Sequence, residues 1–214
     1  MRLASYFITI TQMVRELFTM QPATSEMSED AFLEFIQTRD EKWELVDGEA
    51  VIMAGSNQRH QAIVANTLAA LHNQLRGKGC RPTAVNSGIS TIFGAVRFPA
   101  IIVDCGRRDD QAMLVREPAL VIEVLSPSTR DFDSHRKVFE YKSKPGIRYI
   151  LLIDTNDACA LLHARDGQSW RETLYERFGD VIDFPELGAA LAFSDIYDGL
   201  DFKREPAREP VRPD

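Results

Sequence analysis

Two apolar runs, each carrying an acid, dominate the pattern of the chain. The first reads Pro99-Ala100-Ile101-Ile102-Val103-Asp104 and the second Ala119-Leu120-Val121-Ile122-Glu123-Val124-Leu125. Runs of this length, rich in Val and Ile, predict buried strands. Alternation sets Val121, Glu123 and Leu125 on one strand face. A carboxylate inside such a run is costly unless a cation or hydrogen bonds compensate it. Glu123 is therefore the residue whose surroundings most need explaining.

The remaining pattern frames these runs. Ser28 before Glu29 and Asp30, with Phe32, Leu33 and Ile36 at helical spacing, predicts a capped amphipathic helix. Trp43–Val46, Asp47-Gly48 and Ala50–Met53 read as a hairpin. From Arg59 to Arg76 apolar positions recur at three and four until Gly77 and Gly79 stop them, which predicts a long helix. Thr83–Asn86 and Ile89–Phe93 predict further strands, and Gly106–Asp110 a polar loop. Asp131–Lys144 predicts a second helix with Val138 and Tyr141 on its buried face, ended by Pro145-Gly146. Arg148–Asp154 reads as another buried strand, and Ala160–His163, Trp170–Tyr175 and Val181–Phe184 as a terminal β-meander. The expected organisation is a poorly ordered leader over residues 1–25 (with Met20 as an alternative start), one domain over residues 26–202, and a disordered Pro- and charge-rich tail over residues 203–214. With no Rossmann glycine pattern, the fold class is α+β (α/β) with a mixed β-sheet flanked by helices.

Composition narrows the partners more than the fold. A net charge of -7 argues against coating nucleic acid through bulk charge, but leaves room for a basic cleft or an acidic metal site. Arg130, Arg136, Lys137, Lys142, Lys144 and Arg148 outnumber Asp131, Asp133 and Glu140 in one stretch. Such a run is either a solvated helix face or a place to hold a backbone phosphate. Cys80, Cys105 and Cys159 lie far apart with no zinc spacing, so reduced thiols and a cytoplasmic setting are expected. No apolar run approaches the roughly 20 residues of a membrane span.

The candidate chemistry centres on Glu123. Its plainer reading is a strand-end glutamate paired to a nearby Arg or Lys; its sharper one is a ligand of a hard cation such as Mg²⁺. Lys137, on the following helix, either stabilises charge developing on a phosphate or is an ordinary exposed lysine. Ser126-Pro127-Ser128-Thr129 can cap a helix start, and a Ser126–Lys137 dyad lacks a nucleophile elbow. His60, His72, His135 and His163 show no paired metal-binding spacing.

Trp43-Glu44-Leu45-Val46-Asp47-Gly48-Glu49, Arg59-His60-Gln61, Val121–Thr129 and Arg148–Asp154 together resemble the Uma-type putative restriction endonuclease family, within the PD-(D/E)XK nuclease superfamily. The resemblance covers roughly residues 28 to 200. It implies a restriction-endonuclease-like core and Mg²⁺- or Mn²⁺-assisted hydrolysis of nucleic-acid phosphodiesters, with DNA as partner and a homodimer as the assembly suited to cutting a duplex. On that resemblance Glu123 and Glu44 are metal ligands and Lys137 is the catalytic lysine, displaced onto a helix because Leu125 occupies its usual place. Tyr141 sits one turn further along. Where the family reads Pro-Asp, this chain reads Pro99-Ala100, and alanine cannot ligate a metal. Asp104, roughly 13 Å further along the strand at about 3.3 Å per residue, cannot stand in and is expected to cap a loop. Ala100 thus implies weakened metal binding, and the alternative is a degenerate nuclease-fold protein with a binding role only.

Overall fold

The computed structural model describes residues 26–53, 55–84, 87–125 and 133–202. The expected leader and tail, and the Ser126–Thr129 stretch with the Ser126 half of the Ser126–Lys137 dyad, lie outside them.

Helix α1 (Glu29–Ile36) starts where Ser28 accepts a hydrogen bond from the Ala31 N–H at 3.2 Å, and it buries Phe32. It packs on a small antiparallel sheet in the order β2 (Glu49–Ile52), β1 (Trp43–Val46), β5 (Val96–Arg97), β4 (Ile89–Ser90). Phe32, Leu45 and Val96 form the core of this unit. Since Leu45 faces α1, strand alternation turns its neighbour Glu44 the other way. Ile89–Phe93 does not form one strand. Ile92–Gly94 makes a 3₁₀ turn with Gly94 at φ 68°, so the chain reverses and Ile89–Ser90 pairs back onto β5.

The main sheet of the described residues runs β10 (Ser169–Tyr175), β9 (Ala160–Asp166), β8 (Tyr149–Asp154), β7 (Pro118–Leu125), β6 (Ile101–Asp104), β3 (Arg81–Ala84). Only β7 and β8 pair in parallel, so the sheet is mixed. Every residue of β7 and β8 is buried, as their unbroken apolar runs require. Helix α2 (Gln58–Leu75), capped by Asn57, lays Ile63, Val64, Leu71 and Leu75 on the face made by Ile101, Leu120, Ile122 and Leu151. The opposite face (Ile102, Val121, Leu125, Ile150) packs on Val138, Tyr141 and Ile147, around helix α3 (Val138–Lys142). A π-turn over Asp133–Lys137 leads into α3, which is shorter than the pattern suggests. Glu123 belongs to the α3 face.

Two expectations need correction. The terminal meander is shorter than expected: β9 and β10 follow β8 antiparallel within the main sheet, but β11 (Val181–Phe184) leaves it and pairs with β12 (Ala189–Ala192), followed by a short α4 (Phe193–Ile196). β12 escaped notice because Ala-Ala-Leu-Ala has no β-branched or aromatic residue. The thiols are not all reduced either. The Arg81↔Asp104 register carried one residue further sets Cys80 across from Cys105, and a disulfide joins them. Antiparallel pairing brought together cysteines that are 25 residues apart in sequence.

Candidate active site

Three strands and one helix converge between the two sheets. Glu123 on β7 and Glu44 on β1 are each 5% exposed, and Lys137 at the start of α3 is 3% exposed. The Lys137 ammonium donates to Glu44 Oε1 at 2.9 Å and lies 3.5 Å from Glu123 Oε1. The Tyr141 hydroxyl donates to the same Glu123 oxygen at 2.7 Å. Burial, with the negative charges of Glu123 and Glu44, pushes the Tyr141 phenol well above its ordinary value. It therefore stays a donor at any physiological pH. The three residues that the resemblance singled out meet in one place, and Lys137 is not an exposed helix lysine. Glu123 also satisfies its plainer reading, because a cation and a hydroxyl compensate its burial.

A second layer was missed from sequence. Arg97 on β5 is fully buried and grips Glu140 with two hydrogen bonds, 2.7 Å from Nε and 2.6 Å from NH2. Its NH1 also reaches Glu44 Oε2 at 3.3 Å, and the Phe98 N–H donates to Glu44 Oε1 at 3.1 Å. Glu140 further accepts from Thr91 and from Arg136, and Arg136 extends to Asp47 in the β1–β2 turn. Burial lowers the Arg97 value, but Glu140 and Glu44 outweigh it and hold the guanidinium above its ordinary range. A signal did exist: Arg97 interrupts Ala95-Val96 and Phe98-Pro99-Ala100, as Glu123 interrupts its own run.

The positive surplus, read as a solvated helix face or a phosphate-holding run, is largely paired with carboxylates among the described residues. Lys137 and Arg136 serve the site, Lys142 pairs with Glu172, and Arg148 with Glu186. Asp104 behaves as the loop cap expected of it, accepting from the N–H groups of Gly106 and Glu117 and pairing with Arg81.

The fold family implies a divalent metal here. Glu44 and Glu123 offer the hard oxygens that Mg²⁺ prefers. Both already share the Lys137 ammonium, and the second oxygen of Glu44 faces Arg97. The Ile101↔Ile122 register, carried one residue further, sets Ala100 across from Glu123, so the acid that would complete the set is missing there. Among the described residues, no group of three or more His, Cys, Asp or Glu could hold a metal ion. As it stands, this donor set fits an ammonium rather than a divalent cation.

The comparisons agree with this architecture. Residues 29–194 match the family model described as "Uma2: Putative restriction endonuclease". The uncharacterized protein slr1290 of Synechocystis is 29% identical over 182 residues, covering 83% of this chain and 94% of that protein. A second Synechocystis protein, the uncharacterized sll1609, is 28% identical over 131 residues, 56% of this chain and 72% of its own length. The crystal structure of a "putative nuclease" of the DUF820 group from Anabaena variabilis superposes with a TM-score of 0.65 at 16% identity, over 79% of this chain and 97% of that one. That likeness shows the fold: a restriction-endonuclease-like α+β core. With most of its length matched by the family model, the chain belongs to the Uma2 restriction endonuclease-like family.

Proposed function

We propose that this chain is a nuclease-fold protein that binds nucleic acid, with DNA as its partner, and that has lost efficient metal-assisted phosphodiester hydrolysis at position 100. One observation carries the reading. Lys137 bridges Glu44 and Glu123, and alanine stands across from Glu123 where the family's aspartate belongs. A divalent ion entering such a site must displace a buried ammonium and gains no third carboxylate in return.

A second reading keeps the activity: Glu123 and Glu44 bind Mg²⁺ or Mn²⁺, and Lys137 stabilises charge on the phosphate. It is favoured by the convergence of these three buried side chains with Tyr141, an arrangement suited to phosphodiester hydrolysis.

Plasmid nicking in Mg²⁺ and in Mn²⁺ separates the two, with native protein beside Ala100→Asp. The proposal expects an inert native protein and cleavage gained with the aspartate. Equal and substantial cleavage by both, abolished by Glu123→Gln, would sink it in favour of the second reading. Fluorescence anisotropy with labelled duplex DNA checks the binding half, which should weaken steeply as salt rises. A homodimer, proposed because two-fold symmetry suits a duplex, is checked by sedimentation of the full chain. No helix among the described residues is long and apolar enough to cross a membrane, and the Cys80–Cys105 bridge removes the reduced-thiol argument for a cytoplasmic setting.

A further inference from the structure

Away from the acid site, a cavity of about 630 Å³ lies between the last turn of α2, edge strand β3 and the loop from Arg107 to Arg116. Five arginines line it: Arg76, Arg81, Arg107, Arg108 and Arg116. It sits toward the end of β6 and β7 opposite Glu123, where Asp104 forms part of its wall. The Cys80–Cys105 disulfide pins the two strand ends beside it.

Three of these cations are already balanced. Arg81 pairs with Asp104, Arg108 with Asp110 and Arg116 with Asp109. Arg76 and Arg107 have no carboxylate partner among the described residues, and both are exposed. They approach from different walls, one from the end of α2 and one from the loop. The C-terminal end of α2 accounts for one cation at Arg76, because its unpaired carbonyls favour positive charge. It does not account for Arg107. Five arginines against Asp104, Asp109 and Asp110 in the lining leave a local positive surplus that attracts anions in a chain of net charge -7.

We propose that this cavity binds a phosphate-bearing polyanion, clamped between Arg76 and Arg107. Guanidinium groups match phosphate oxygens through paired hydrogen bonds. The volume falls in the usual range of small-molecule sites, roughly 300–1,000 Å³. No Phe, Tyr or Trp lines the cavity among the described residues, so a nucleobase would stack only on His72 or a guanidinium plane, and the phosphates are the main feature it recognises. The phosphates could come from a nucleic-acid backbone or from a free polyphosphate. This inference does not rest on the acid site being active or inactive.

The test titrates the full-length native chain and Arg76→Glu/Arg107→Glu with inorganic tripolyphosphate by calorimetry. A fluorescein-labelled single-stranded oligonucleotide is followed in parallel by anisotropy. Native protein should bind tripolyphosphate, more weakly at higher salt, and the double variant should lose about tenfold or more in affinity. Arg171→Glu, a charge reversal on exposed β10 at the opposite edge of the main sheet, should bind as the native chain does, which separates this site from a general effect of charge. If the oligonucleotide competes with tripolyphosphate and weakens in the same variant, a strand backbone is the source. If only tripolyphosphate binding falls, the ligand is a free polyphosphate. Absence of tripolyphosphate binding, or equal binding by native and variant, overturns the proposal. Should the double charge reversal fail to fold, Arg107→Gln alone in the exposed loop carries the same comparison, with a loss of about threefold expected.

Discussion

Arg97 is the residue on which the acid site most depends. Fully buried, it holds Glu140 through two hydrogen bonds and reaches Glu44 as well. Replacing it with Met takes a shared cation from two buried carboxylates, leaving Glu140 with Arg136 and Thr91 and Glu44 with Lys137, and breaking a buried pair from one side costs about 3–5 kcal/mol. A urea melt of Arg97→Met should show a loss of that size; a loss under about 1 kcal/mol would mean that these remaining partners suffice without Arg97. Glu140 gives a pH signature of the same network. Burial alone would raise its carboxyl, but Arg97, with help from Arg136 and Thr91, holds it below its ordinary value of 4.5. A depressed carboxylate adds stability above its unfolded pKa and loses it as pH falls through the folded one. Native protein should therefore lose stability progressively below pH 4.5, and Glu140→Gln should flatten that limb while lowering stability at neutral pH. Thermal melts from pH 7 to 3 read both effects. Glu123 was legible as a problem from sequence because an acid interrupted an apolar run. Its solution, Lys137 with Tyr141, was suggested by resemblance and given its distances only by the fold.

Among the elements, the β1–β2 hairpin sets the register of Glu44. Asp47-Gly48 was legible because both turn residues need positive φ, and they sit at 50° and 75°. Gly48 is also tightly enclosed: a Cβ added there would lie 2.5 Å from the Glu26 Cβ. Gly48→Ala should cost about 1–2 kcal/mol from the left-handed backbone, with a further loss from the clash. If the hairpin fixes Glu44 as described, the Ala100→Asp chain should also lose its gained nicking when Gly48→Ala is added. Retained nicking would show that the turn does not control the site. The long helix α2 and strands β7 and β8 were clear from periodicity, since each buries a face or a whole segment. β12 and the break in Ile89–Phe93 were not, because one lacks strand-forming residues and the other turns on a single glycine.

At the scale of the molecule, the Cys80–Cys105 bridge ties edge strand β3 to β6. Closing a loop of this length restricts the unfolded chain by about 3 kcal/mol. Reductant should lower the urea midpoint accordingly. Thiol titration in denaturant should give only Cys159 before reduction and all three cysteines after it. Three reactive thiols without reductant would contradict the bridge.

The layered α+β core is written in local pattern, because helical and strand periodicities survive any arrangement of the pieces. The sequence also carries the identity of the acids and the absence of one at Ala100. What those residues meet follows from the fold. Glu44 and Glu123 share Lys137 because two sheets and α3 converge on them, Arg97 and Glu140 join from strands and helices distant in sequence, and Cys80 finds Cys105 through an antiparallel register. Local pattern sets which face a side chain takes. Which partner lies across that face depends on pairings that no short stretch encodes.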